Sequence, residues 1–346
     1  MRVIVYPSDM SGCSYYRVLE PVAAACRAGV DASVSYRFPN KLKPLPNGID
    51  KVTGLLAELD ADVVVFHRPL DYRIVDSIKF LRKAGIGVVV DLDDDLLSAD
   101  PSSLFVRLHS PENNPRENWQ HCIRACKLAD VVTCSTPAIE RRWGFGHGVV
   151  ARNGIPPWVL ELVHVGGGGI GWSGLTHMHG GDLEIVGDGV QRALDATGLS
   201  FTAVGNGIDV QERLGLTRPP KITGWTSAGE HYANIAKLDI GIAPLADTPF
   251  SQARSAIKVL EYAALGIPSV ASPLPEYELV AQDGLCVIAR DPQEWFEQIC
   301  RIDAGYKLFG LRARIRAKHT TDTTITTWID AWELAQAKAL RRLARA

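Results

Sequence analysis

Short apolar runs alternate with longer stretches of mixed polarity along the whole chain. In the first half, strands are predicted at residues 3–6, 32–36, 62–66, 87–90, 131–134 and 149–151. Helical periodicity falls between them, at 20–28, 49–59, 72–84, 115–128 and 137–143. Pro21 suits the first turn of its helix, where no N–H is needed, and Gly29 suits the position just past the end. Val63-Val-Val-Phe66 and Val88-Val-Val-Asp91 are apolar without alternation, which marks parallel strands covered on both faces. The second half repeats the theme. Strands are predicted at 169–172, 201–204, 222–223, 240–243, 269–271 and 286–288, with helices at 181–196, 229–238, 256–265 and 292–303.

Two βα arrays in series predict an α/β protein of two doubly wound, parallel-sheet domains facing each other across a cleft. Gly154-Ile-Pro-Pro-Trp158 and the glycines at 166–169 read as the connection. The predicted domains are residues 1–155 and 156–320, with a C-terminal helix over 321–346 packing back across the junction. On that helix Ile325, Trp328, Ile329 and Trp332 share one face. Its basic end (Arg341, Arg342, Arg345) is read as solubilising rather than as a peripheral membrane contact.

The length of 346 residues fits two medium domains better than one core. A formal net charge of -2 argues against a nucleic-acid partner. The seven cysteines show no metal-ligand spacing and read as free thiols of a reducing compartment. No apolar run is long enough to span a bilayer and no signal core opens the chain, so a cytoplasmic location is expected.

Candidate chemistry sits at predicted strand ends. The loop Ser8-Asp-Met-Ser-Gly-Cys-Ser14, including Ser11 and Gly12, either offers N–H groups to phosphate or sugar oxygens or is an ordinary βα turn. No Walker A or GxGxxG motif is present. His67, with Arg68, follows an apolar strand. Asp91-Leu-Asp-Asp-Asp95 is an acidic cluster whose Asp91 or Asp93 is read as a catalytic or acceptor-orienting carboxylate rather than a metal ligand, with a helix cap as the structural alternative. In the second half, Ser173 and His177 stand in the loop after the first strand. Arg254 and Lys258 are four apart, on one face of a predicted helix near its start, and make an anion site suited to a diphosphate. Glu261, three residues on, can accept two ribose hydroxyls; a surface Lys–Glu pair is the plainer alternative. The rest of that helix is apolar, and charges on a buried helix need partners. The stretch 98–118, rich in Pro and Asn, is either an acceptor lid or disordered.

The segment from Arg254 to Pro268 resembles the C-terminal signature of retaining GT-B glycosyltransferases of group 1 (family 4-like). Glu261 matches the second Glu of their Glu-x7-Glu motif and Gly266-Ile-Pro268 its close, while Ala253 stands where the first Glu belongs. Arg254, Ser255 and Lys258 match a subgroup with a basic residue, Ser and Lys before that Glu. Ala129-Asp-Val-Val-Thr-Cys-Ser-Thr-Pro137, Arg152-Asn-Gly-Ile-Pro156, Ile170-Gly-Trp-Ser-Gly174, Gly205-Asn-Gly207 and Gly224-Trp225 resemble further family segments in the same order.

The resemblance implies a GT-B fold of two Rossmann-like domains, the first for the acceptor and the second for the donor. It implies transfer of a sugar, with retention, from a nucleotide-diphosphate donor (UDP- or GDP-linked) to a hydroxyl of a protein, glycan, lipid or small molecule. The nucleotide sugar is a co-substrate; no cofactor or metal is expected. Gly224, Trp225 and Thr226 would flank the base, with Gly205 at a neighbouring strand end. Glu261 would meet the ribose, and Arg254 and Lys258 the diphosphate, with Ser255 among the substrate-binding residues; His177, by its place in the loop, either donates to a diphosphate or is a surface histidine. His67 with Asp91 or Asp93 would face sugar and acceptor, and the Ser11-Gly12 loop would close on the phosphates. A nucleotide-sugar epimerase of the same fold, or a non-catalytic binder given Ala253, are the alternatives.

Overall fold

The computed structural model describes residues 1–10, 12–36, 59–101, 103–176, 180–224 and 227–345. Ser11, His177, Trp225, Thr226 and all of the predicted helix over 49–59 except Leu59 lie outside the described residues. The chain divides into two compact units, Met1–Gly154 with Thr321–Ala346, and Ile155–Thr320.

The first unit is a six-stranded parallel sheet. In chain order its strands are β1 (Arg2–Tyr6), β2 (Asp31–Val34), β3 (Val63–His67), β4 (Gly87–Leu92), β5 (Val131–Cys134) and β6 (Gly148–Val150). Their spatial order is β2-β1-β3-β4-β5-β6. β3 and β4 are buried at every position, as expected of strands covered on both faces. The covering helices include α1 (Glu20–Arg27), α2 (Tyr72–Lys83), α3 (Leu104–His109), α4 (Trp119–Leu128) and α5 (Pro137–Trp143).

Helix starts follow side-chain caps. Asn118 accepts from Gln120 N at 3.0 Å, which starts α4 four residues later than the periodicity indicates. Ser103 caps α3 inside the stretch read as a lid or disordered loop. Pro21 sits in the first turn of α1, as expected, yet α1 continues an earlier helical stretch. The helical backbone begins at Gly12 and widens into a π segment over Tyr15–Leu19, in which Glu20 N–H bonds the Tyr15 carbonyl. A widened turn is one way to admit a proline ring inside a helix.

That π segment carries Arg17, which is buried beside the equally buried Asp91. Nη2 donates to Asp91 Oδ1 at 2.5 Å and Nε to Oδ2 at 3.0 Å. Nη1 reaches the Ala151 carbonyl at 2.6 Å and Asn153 Oδ1 at 2.9 Å. Thr133 Oγ1 adds a 2.6 Å bond to Asp91. The guanidinium also lies 4.2 Å from the centre of the Trp328 ring.

Trp328 belongs to the C-terminal helix Thr321–Leu343, which joins this unit's core. Ile325, Trp328, Ala331, Trp332 and Ala335 pack with Val3, Val65, Val89 and Val131. Ala335 approaches so closely that a Cβ on Gly87 would lie 2.8 Å from its backbone carbon, so only glycine fits there.

The second unit is also a six-stranded parallel sheet, formed by β7 (Ile170–Leu175), β8 (Phe201–Asn206), β9 (Lys221–Thr223), β10 (Ile240–Ala243), β11 (Ser269–Ala271) and β12 (Val287–Ile288). Its spatial order is β12-β11-β10-β7-β8-β9. Helices α6 (Gly189–Thr197), α7 (Ala228–Ile235), α8 (Ile257–Ala264) and α9 (Pro292–Asp303) flank it. α6 starts later than the predicted 181, because a short 3-10 turn at Glu184–Val186 comes first. Trp172 and Trp295 anchor its core. Gly205 faces Gly174 across the β7–β8 ladder with φ 113°, and a Cβ there would lie 2.3 Å from the Gly174 carbonyl oxygen. Close strand packing thus explains Gly205 without a ligand.

Removing one partner of the Arg17–Asp91 pair leaves the other charge buried. Arg17→Met should cost about 3–5 kcal/mol in chemical denaturation. A loss below about 1 kcal/mol would show that the pair is not integral to the unit.

Candidate functional site

In open parallel sheets, ligands lodge beyond the carboxyl ends of the strands where the strand order reverses. The reversal falls between β1 and β3 in the first unit, and between β7 and β10 in the second. Both places hold clusters of polar side chains.

At the first, a cavity of about 360 Å³ is lined by residues including Tyr6, Ser8, Asp9, His67, Arg68 and Phe105. His67 is buried at the end of β3. Its Nδ1 lies 3.2 Å from Ser8 Oγ and 3.3 Å from Ser14 Oγ, and its Nε2 lies 3.2 Å from Asp93 Oδ1. An ionised Asp93 only accepts, so the proton belongs on Nε2 and the serine hydroxyls face Nδ1. Burial pushes the Asp93 carboxyl up, but Arg68 and His67 outweigh it and hold the group well below the usual range.

Arg68 has φ 43°, an uncommon conformation for a residue with a side chain. Its N–H bonds the Asp91 carbonyl at 2.9 Å. Its guanidinium pairs with Asp9, lies 3.3 Å from Asp93 and 3.9 Å from Asp94. Burial opposes its charge, while Asp93 and then Asp94 and Asp9 reinforce it. Cys13, Asp93 and Asp94 present one ligand atom each within 4.8 Å of one another, the only such group among the described residues. Burial and then Asp93 push the Cys13 thiol well above its ordinary range. The cation these carboxylates face is Arg68.

The acidic run therefore divides by role. Asp91 is committed to Arg17 and Thr133 at zero exposure, which corrects its reading as a carboxylate offered to substrate. Asp95 receives Trp143 Nε1 at 2.9 Å and Arg142 at 2.6 Å and is structural. Asp93 is the member that touches His67 and Arg68, two residues lining the cavity. Gly12 starts the helical stretch that carries Cys13 and Ser14.

At the second reversal, α8 starts at Ile257 with no side-chain cap. Its first N–H groups form the positive end of a helix dipole. Lys258 Nζ stands 5.5 Å from the Trp172 ring centre. Arg254 lies 3.8 Å from Asp182 Oδ2, and Asp182 Oδ1 accepts from Ala246 N at 2.9 Å. Arg254 and Ser255 sit in the turn before α8, not on its face, so Arg254 and Lys258 come together through the turn rather than by helical spacing. Burial and then Arg254 bring the Lys258 ammonium down to about 7, against the pull of Asp182 and Glu261.

Glu261 is buried on α8 and lies 3.2 Å from His231 Nε2. Ser173 lies within β7 rather than in the loop after it, because the strand runs on to Leu175; it donates its N–H to Tyr262 Oη at 3.1 Å, and Tyr262 donates to the Ile242 carbonyl at 3.2 Å. Ser173 is thereby tied into the β7–α8 junction. Gly224 is exposed at the end of β9, and Ala253 is buried at the end of a short helix, Pro249–Gln252.

Asp182, His231 and Tyr262 were not singled out by sequence, and Ser8 and Ser14 only as the ends of a candidate loop. None stands in a distinctive motif; each reaches its site through tertiary structure.

Residues 182–303, which include Asp182, His231, Arg254, Lys258 and Glu261, match the model of the family described as Glycosyl transferases group 1. A search of curated proteins gives no match. Among solved structures, a glycosyltransferase from Rickettsia africae is similar at 14% identity and TM-score 0.63, over 96% of this chain and 98% of that one. HepE from Anabaena, solved in complex with UDP, is similar at 15% identity and TM-score 0.61, over 95% and 99%. AviGT4, a glycosyltransferase involved in avilamycin A biosynthesis, is similar at 15% identity and TM-score 0.59, over 98% and 99%. The fold is GT-B, two six-stranded parallel α/β sheets. The fold and the matched segment together support a glycosyltransferase. Among the described residues no helix is long and apolar enough to cross a membrane.

Lys258 carries its proton below about pH 7 and loses it above. A nucleotide-diphosphate sugar, whose phosphates stay ionised across this range, should therefore bind more tightly at about pH 6 than at about pH 8.5, and its binding at the higher pH should take up protons. Calorimetry in buffers of differing ionisation enthalpy reads this directly; flat affinity with no uptake would place Lys258 off the anion.

Proposed function

We propose that this protein transfers a hexosyl group from a nucleotide-diphosphate sugar to a hydroxyl acceptor, with retention and without a metal ion. The observation that carries the reading is the convergence of Arg254, Lys258 and the uncapped start of α8 at the second unit's strand reversal, with Glu261 one turn along. Two cations and a helix N-terminus suit a diphosphate. A buried carboxylate on the same helix suits a ribose diol. UDP is favoured over GDP, because the HepE structure holds UDP and the same fold.

The bond from the anomeric carbon to the donor oxygen breaks, and a bond from that carbon to the acceptor oxygen forms on the same face. The acceptor proton passes to the departing phosphate. Negative charge grows on the diphosphate as the sugar leaves. Cations fixed in advance stabilise that charge more than they stabilise the bound donor, and so lower the barrier. His67 and Asp93 are assigned to the acceptor and sugar, beside the cavity of the first unit. Metal independence is supported by Arg68, which supplies the positive charge for the acidic cluster there.

Lys258→Ala should lower kcat by about 10²–10³-fold, and a loss smaller than about tenfold would remove Lys258 from the diphosphate. Full activity should persist in EDTA, whereas strict metal dependence would return the acidic cluster to a metal-binding role. The anomeric configuration of the product, read by NMR, tests retention.

A further inference from the structure

We propose that His231 is a positioning residue, which holds the Glu261 carboxylate in place for the ribose hydroxyls of the donor. This rests on the reading that Glu261 meets the ribose. Glu261 is only 4% exposed, and a carboxylate so far from water needs hydrogen-bond donors. His231 Nε2 supplies one at 3.2 Å from Oε1. This bond takes one of the roughly four acceptor sites that a carboxylate offers.

His231 is itself held firmly. Its helix α7 opens with a reciprocal capping box between Ser227 and Glu230, one turn before the imidazole. The His231 N–H bonds the Ser227 carbonyl at 2.9 Å. The ring lies edge-on to the buried Tyr232, with centres 5.7 Å apart, and Tyr232 in turn meets Trp158 edge-on at 5.3 Å. Thirty positions separate His231 from Glu261, and the two sit on different helices. The contact therefore fixes a rotamer of Glu261 that α8 does not dictate by itself. Without it, the donor must order that side chain on binding, which weakens affinity about three- to tenfold per side chain. The imidazole touches the carboxylate and not the reacting carbon, so the effect belongs to donor binding and KM rather than kcat.

The test compares UDP and GDP with their 2′-deoxy counterparts, binding to the full chain by calorimetry. The unsubstituted protein should prefer the better ribonucleotide over its deoxy form by about tenfold, since a lost hydroxyl leaves a buried acceptor unpaired. His231→Ala should weaken the ribonucleotide and shrink that preference to about twofold, with the deoxy form little changed. His231→Gln, which keeps an N–H donor, should restore most of the preference. Should the alanine variant not fold, His231→Asn, too short to reach Oε1, carries the same expectation. Full discrimination in the alanine or asparagine variant would overturn the proposal. Equal binding of both nucleotides by the unsubstituted protein would instead overturn the ribose assignment of Glu261, and His231 with it.

Discussion

Arg17 and Asp91 meet where water is absent, and the first unit is arranged around that meeting. One guanidinium joins the π segment after β1, the end of β4, the chain leaving β6 and the aromatic face of the C-terminal helix. Burying two charges costs several kcal/mol each, so the pair persists only because nearly every donor and acceptor is matched. The match also settles geometry next door. With Asp91 fixed, its carbonyl fixes the Arg68 N–H, and the uncommon backbone of Arg68 aims a cation at Asp93 and Asp94.

The two units solve the same problem with different chemistry. Each places its polar groups where neighbouring strands lead to helices on opposite faces, a position that opens a crevice without breaking the sheet. The first unit fills that place with carboxylates balanced by one arginine, around a histidine whose two nitrogens are both engaged. The second pairs Arg254 and Lys258 with Asp182 and Glu261 near a helix start that has no side-chain cap, and tempers the lysine by burial. The first suits orientation of hydroxyl groups, and the second suits negative charge that grows during a reaction.

Much of this was legible in the sequence. All twelve predicted strands are present, because unbroken runs such as Val63-Val-Val-Phe66 allow little else. Helix starts were less legible, since Asn118 rather than Pro115 begins α4 through a side-chain bond that periodicity does not report. Residues 12–14 read as part of a loop because glycine and serine usually mark one; the helical stretch that begins there leads to the buried Arg17. Lys258 and Glu261 were legible as charges on an otherwise apolar helix. Asp182 and His231 were not, because they join the site from elements distant in sequence. The roles of Asp91 and Asp93 differ only through their neighbours, so two aspartates two residues apart looked equivalent.

The helix bearing Trp328 and Trp332 belongs to the core that β1 begins, although the whole second unit lies between them in the chain. During synthesis, residues 1–154 emerge without the side chains that complete their core, while Ile155–Thr320 emerges as one continuous stretch. The later-made unit can therefore mature first, and the earlier one must wait with part of its apolar surface uncovered. Loss of the helix Thr321–Leu343 would thus damage the unit that holds β1 and leave Ile155–Thr320 largely intact.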